Sequence, residues 1–219
     1  MSAEIARISA LGTTALLFEA PGTTTLPTQQ RIWALAREAQ GWAEVQEAVP
    51  GMNNLMLTFA RPPRRREALE ERLLAAWEAA RPLGLDGRTV ELPVTYGGDA
   101  GPHMADVVAH TGLGVDEIVE LHSTPVYPVY ALGSHPGYCY LGGMDPRIAT
   151  PRRKVPVLSI PGGAVSIGGA QTGVSASAGP SGWNTTGTTS MCFFDPKQDP
   201  PAMLQPGDMI RFRVEGIVR

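Results

Sequence analysis

A chain of 219 residues has room for one large domain or two small ones, and 43% apolar with 18% charged residues is the balance of a packed core, which excludes disorder from charge excess. A net charge of −3 gives no reason to expect a polyanion as partner, and the one basic run, Arg64-Arg65-Arg66, stands beside Glu67, Glu70 and Glu71 as a solvated helix face, so nucleic-acid binding is not expected. No stretch approaches the roughly 18 consecutive apolar residues of a membrane span, the N-terminus lacks the basic start and apolar run of a signal peptide, and Cys139 and Cys192 alone make no disulfide framework, so a cytoplasmic, reduced protein is expected.

In chain order, residues 15–19 read as an apolar strand, with a weaker strand over 5–8 before it. Residues 29–40 carry Ile32, Leu35, Ala36 and Ala39 at helical spacing, with Thr28 as the expected N-cap and Gly41 as the stop. Two strands, 44–49 and 54–60, are joined across Pro50-Gly51. A second helix over 63–81 gathers Leu69, Leu73, Ala76, Trp77 and Ala80 on one face, and Pro82 with Gly84 ends it. Two strands, helix, two strands, helix pack naturally as an open sheet with both helices on one face.

Residues 83–88 read as a linker, after which Gly and Pro become dense. A strand is expected over 88–96 and short helices over 104–110 and 115–122, with Gly112 and Gly114 between them. From Tyr127 onward, short apolar runs alternate with turn signals in the manner of a sandwich or barrel. The expected organisation is α+β over 1–86, an N-terminal open α/β sandwich, followed by a mostly β domain over 87–219.

The chain has no Walker loop, no Gly-x-Ser-x-Gly elbow, no His-Glu-x-x-His helix and no Cys-x-x-Cys pair. His103 and His110 have no third ligand nearby in the sequence, and no metal is expected. Gly133-Ser-His-Pro-Gly-Tyr138 predicts a tight turn in which Pro136 fixes φ and Gly137 takes a positive one. Gly162-Gly163 and Gly168-Gly-Ala-Gln-Thr-Gly173 offer backbone N–H groups to an anion, or else serve barrel corners. Arg152, Arg153 and Lys154 hold an anion or form a solvated turn, and both readings stand on the residues alone. In the plainer reading Arg152 pairs with an acid such as Asp145 or Asp195. His122, at the end of a helix, is either a general acid/base or a partner of the helix C-terminus.

Taken as one ordered set, several segments resemble a single family. Leu121-His-Ser-Thr-Pro-Val-Tyr-Pro-Val-Tyr-Ala-Leu-Gly133 is followed by Pro136-Gly-Tyr138, Tyr140-Leu-Gly-Gly143, Asp145-Pro-Arg-Ile-Ala-Thr-Pro-Arg-Arg153, Gln171-Thr-Gly173, Gly182-Trp183, Phe194-Asp-Pro196 and a final stretch from Pro201 to Phe212. Upstream, Leu92-Pro-Val94 and Tyr96-Gly-Gly98 fit the strand that opens the second domain. The set is similar to the B subunit of 5-oxoprolinase, a family also described as Kip-type kinase inhibitor, as allophanate hydrolase subunit 1 and as the first half of the carboxyltransferase domain of urea carboxylase.

The resemblance implies a cyclophilin-like β-barrel for the second domain and a tight partner, the C subunit, whose related barrel completes the pocket. It implies a more loosely held A subunit and ATP, bound by the assembly rather than by a complete site in this chain. The reaction implied is ATP-dependent opening of 5-oxo-L-proline to L-glutamate. His122 is the candidate proton-transfer residue, and Arg152, Arg153, Gln171, Thr172 and Gly173 are the candidate substrate-binding residues. The chain departs from the family pattern at Ser134, Val157, Ser159, Ala170 and Thr188. Up to three of these replace arginines, and each lost charged hydrogen bond weakens anion binding by about 1.5–3 kcal/mol. Related functions stand beside the main one: a carboxyltransferase-like or other cyclic-amide or urea-derivative hydrolase subunit, or an inhibitor of a sensor histidine kinase.

Overall fold

The computed structural model describes residues 5–219, which fall into two compact units, one ending at Gly84 and one beginning at Leu85. In the first unit, strands β1 (Arg7–Ala10) and β2 (Ala15–Glu19), helix α1 (Leu26–Gln40), strands β3 (Glu47–Pro50) and β4 (Asn54–Thr58) and helix α2 (Arg66–Ala79) follow in order. The four strands form an antiparallel sheet in the order β1-β2-β4-β3. Alternation along β2 and β4 turns Leu16, Phe18, Leu55 and Leu57 to one side, where they meet Ile32, Leu35 and Ala39 of α1 and Leu69, Leu73 and Trp77 of α2 in one buried cluster. The unit is therefore an open α/β sandwich with both helices on one face.

The expected N-cap is corrected. Helix α1 starts three residues earlier than its apolar spacing suggests, with Thr25 as N-cap accepting from the Thr28 backbone N–H, because proline is tolerated in a first helical turn. Arg31 braces the end of the other helix: its guanidinium stacks on the Trp77 ring at 3.8 Å and donates to the Trp77 and Ala80 carbonyls at the C-terminus of α2.

The second unit contains strand β5 (Thr89–Gly97), helices α3 (Met104–Thr111) and α4 (Val115–Ser123), and strands β6 (Val126–Leu132), β7 (Cys139–Leu141), β8 (Val157–Ile160), β9 (Ala164–Gly168), β10 (Gln171–Val174), β11 (Gly179–Ser181), β12 (Asn184–Thr188) and β13 (Met209–Val218). Seven of the strands close into a barrel, β10-β7-β6-β13-β5-β12-β9, while β8 and β11 pair as a separate two-stranded ribbon. The pairing is antiparallel except between β5 and β13, which run parallel for nine register pairs and so close the barrel between segments about 120 residues apart in the chain. Helices α3 and α4 pack onto the barrel through Met104, Val107, Ile118 and Val119, which share one core with Leu92, Val94, Val129, Leu141, Val165 and Phe212. Among the described residues no helix is long and apolar enough to cross a membrane. Both cysteines are free thiols, Cys139 buried and Cys192 exposed.

Candidate functional site

Strand β7 reads Cys-Tyr-Leu, and the period-two alternation of a strand places Tyr138 and Tyr140 on the same side. There they meet Trp183, which leads into β12. The ring centroids lie 4.8 Å apart for the two tyrosines and 6.1 Å from each tyrosine to Trp183, in tilted and edge-on geometries. Two glycines make this packing possible. A Cβ on Gly168 would lie 2.4 Å from the Trp183 ring, and one on Gly173 would lie 2.8 Å from the Tyr138 hydroxyl oxygen.

The three aromatic residues, with Arg152, His135 and Ser175, line a cleft of about 100 Å³ on the barrel surface. Arg152 sits over Trp183, its guanidinium carbon 5.6 Å from the ring centroid. The segment that carries it is pinned on both sides. Thr150 and Gly169 exchange backbone bonds of 3.1 and 2.7 Å, the Asn184 side-chain amide donates to the Pro151 carbonyl at 2.9 Å, and the Arg153 N–H donates to the Gly182 carbonyl at 2.8 Å. Arg152 itself is exposed and makes no ion pair among the described residues. A cation held by a fixed backbone beside an aromatic wall, without a counter-charge from those residues, is suited to a small anion.

The turn at the edge of the cleft forms as its sequence predicts, with Gly137 at φ +79°. Ser134 also takes a positive φ, +64°, a conformation that costs a non-glycine residue about 1–3 kcal/mol and persists only where the surroundings over-determine it. Burial lowers the His135 pKa below its usual value, and its Nε2 accepts from the Ala176 N–H at 3.3 Å. Tyr138 is held well above the usual phenol range by burial, reinforced by Tyr140 and opposed by the Arg152 charge.

His122 lies outside the cleft that Arg152 lines. His122 is 1% exposed in the barrel core, stacked on Phe212 with centroids 4.6 Å apart. Both ring nitrogens are engaged: Nδ1 lies 2.9 Å from the Tyr96 hydroxyl and Nε2 2.8 Å from Thr172 Oγ1. The Thr172 hydroxyl donates its one hydrogen to the Ser166 carbonyl at 3.2 Å, so Nε2 is the donor to Thr172 and Nδ1 accepts from Tyr96. Burial pushes the imidazole pKa down to about 3, and a neutral ring enclosed on both sides has no path to exchange protons with a surface substrate. The expectation of a capping histidine also fails for the side chain, since it is the His122 carbonyl that joins the helix end to its surroundings by accepting from Tyr127 at 2.7 Å.

The two neighbouring arginines do not act as one clamp. Arg153 bonds Asp106 of α3, which neutralises it. The acids that the plainer reading assigns to Arg152 are occupied elsewhere: Asp145 pairs with Arg147 at 2.8 Å, and Asp195 accepts from the Lys197 N–H at 3.0 Å. Thr172 is fully buried and Gly173 presents its backbone beneath Tyr138, so neither meets the cleft directly. Gln171 is half-buried at the start of β10 and, by alternation, leaves the strand on the same side as Gly173 and Tyr138, opposite Thr172. Of the departures from the family pattern, Thr188 is used structurally, donating to the Ala100 carbonyl at 2.6 Å, and Val157 and Ser159 lie on the ribbon. Sequence reasoning gives Tyr138, Tyr140 and Trp183 no role of their own, and the Tyr-x-Tyr spacing is the signal that groups two of them.

A closed β-barrel with an aromatic and cationic cleft on its surface is preceded in the chain by an open α/β sandwich. Residues 6–204 match the carboxyltransferase domain, subdomain C and D, and the chain belongs to that family. It is 44% identical over 207 residues to a 5-oxoprolinase B subunit of Escherichia coli O157:H7, a match covering 94% of this chain and 95% of that protein. It is 38% identical over 203 residues to a 5-oxoprolinase B subunit of Haemophilus influenzae, covering 93% and 95%. The crystal structure of TTHA0988 superposes with a TM-score of 0.74 at 30% identity, covering 96% of this chain but only 40% of that one.

Proposed function

We propose that the chain is the B subunit of an ATP-dependent 5-oxoprolinase, which opens 5-oxo-L-proline to L-glutamate together with a tightly bound C subunit and a more loosely bound A subunit. The observation that carries the reading to the site is Arg152, without an ion pair among the described residues, over Trp183 in a cleft lined by Tyr138 and Tyr140. The substrate is a small, nearly flat lactam with one carboxylate: the ring packs on the aromatic wall and the carboxylate takes the guanidinium as a planar fork. Gln171 reads the amide from its place on the same side of β10. The relatives from Escherichia coli and Haemophilus influenzae carry the same subunit name, which supports an assembly of several chains.

ATP belongs to the assembly in this reading. A cleft of about 660 Å³ in the barrel unit sets Asp86, Asp195, Asp199 and Asp208 against the single cation Arg88, a charge balance that opposes a triphosphate. Bound in the assembly, ATP would activate the lactam by phosphorylating its amide oxygen, and two waters are consumed. One adds to the activated carbon so that the carbon–nitrogen bond breaks to leave an acyl phosphate, and a second hydrolyses that acyl phosphate to the carboxylate and phosphate. This chain contributes by binding and orienting the lactam. A second reading, in which the substrate is another cyclic amide or a urea derivative, is favoured by Ser134, whose strained backbone shapes the cleft edge where the family pattern differs. Steady-state assays of the assembled complex with 5-oxoproline, allophanate and hydantoin-type lactams separate the two: preference for 5-oxoproline supports the first.

A further inference from the structure

Building on that cleft assignment, we infer that Thr172 is a positioning residue: the hydrogen bond between its hydroxyl and His122 fixes β10 so that Tyr138 is seated beside Arg152. Thr172 is sealed from solvent. Its Oγ1 joins three elements on the inner side of the barrel, accepting from His122 of α4 at 2.8 Å and donating to the Ser166 carbonyl of β9 at 3.2 Å. On the outer side, the next residue is Gly173, where the strand is bare and the Tyr138 hydroxyl rests against it, 2.8 Å from the place a Cβ would take. A shift of β10 by a few tenths of an ångström therefore moves the floor under Tyr138. Register ties the same strands together, because Gly173 pairs with Tyr140 and Val174 with Cys139.

The anchor at the other end is held on several sides: His122 accepts from Tyr96, stacks on Phe212, and has its backbone carbonyl bonded by Tyr127. Tyr138 in turn stands close enough to Arg152 for that charge to act on its hydroxyl. A hydrogen bond serving only barrel stability has no reason to affect substrate binding by folded, assembled protein. One serving position does.

The test uses the assembled complex and measures ATP-dependent glutamate formation from 5-oxoproline for Thr172→Val, Thr172→Ser, Tyr138→Phe and the Thr172→Val/Tyr138→Phe double variant. The expected result is a KM raised about tenfold by Thr172→Val with kcat within about twofold of the parent, near-complete rescue by Thr172→Ser, and a double variant no worse than Tyr138→Phe alone, because both act through one contact. An unchanged KM for Thr172→Val, or effects of the two substitutions that multiply, overturns the inference. If the valine variant does not assemble, Thr172→Cys, with a weaker hydrogen-bonding group of similar size, must raise KM in the same direction. Arg152→Lys and Trp183→Ala are measured in parallel. If those raise KM and Thr172→Val does not, the positioning role alone is wrong; if none of them does, the cleft assignment falls and the inference with it.

Discussion

Arg152 stands 5.6 Å from the Trp183 ring centroid with no acidic partner among the described residues, while its neighbour Arg153 is bound to Asp106. Adjacent arginines thus have opposite fates: one is a tether between the barrel loop and α3, and the other is left available. Arg152→Lys keeps the charge but removes the planar fork, and should raise KM for 5-oxoproline in the assembled complex about tenfold while leaving thermal stability unchanged. An unchanged KM contradicts the cleft assignment.

The aromatic wall makes a second prediction. A methyl group at Gly168 meets the Trp183 ring at 2.4 Å and must displace it, so Gly168→Ala should weaken substrate binding and shift tryptophan fluorescence in the isolated chain. A parent-like spectrum and KM together would contradict this packing.

The buried imidazole sets a pH dependence of stability. His122 has a folded pKa of about 3 against 6.5 in the unfolded chain, so between those values the unfolded state binds the extra proton. Stability contributed by the neutral ring is fully present above pH 6.5 and is lost as pH falls towards 3. Urea denaturation between pH 7.5 and 4 should show a falling midpoint, and the fall should be smaller in His122→Gln. An identical pH dependence in both proteins would remove His122 as its source.

In the first unit, the Trp77 ring lies 5.2 Å from that of Phe18 and carries the Arg31 guanidinium over it, joining α2 to the sheet and to α1. Trp77→Ala should cost about 3–5 kcal/mol of that unit's stability. We further expect the segment 83–88 to be a boundary at which limited proteolysis releases a folded barrel fragment, detectable by circular dichroism and thermal melting.

Much of the first unit is legible in the sequence, because the helical spacing of Ile32, Leu35, Ala36 and Ala39 and of Leu69, Leu73, Ala76 and Trp77 is local and strong. The start of α1 is not, since Thr25 and Thr28 are both plausible caps and only the chain path selects Thr25. The barrel's turns are legible through Gly137 and the glycine pairs, but its closure is not: β5 and β13 find each other across the whole unit, and Arg211, Arg213 and Glu215 dilute the apolar signal of β13. His122 and Arg152 show chemistry suited to a site without showing their places. The His122 partners lie 26 and 50 residues away, which no local pattern reveals, and those partners decide that it is an anchor in the core. The grouping of Tyr138, Tyr140 and Trp183 likewise depends on β12 lying beside β9, with Gly168 leaving room for the indole.

The most direct measurement is reconstitution. The purified chain, its complex with the C subunit, and that complex with the A subunit are each incubated with 5-oxoproline and ATP, and glutamate and ADP are quantified. Equal amounts of glutamate and ADP from the complete assembly, and none from the chain alone, are the predicted result. Glutamate formation by the isolated chain, or a complete assembly that turns over ATP without opening 5-oxoproline, would contradict the proposed function.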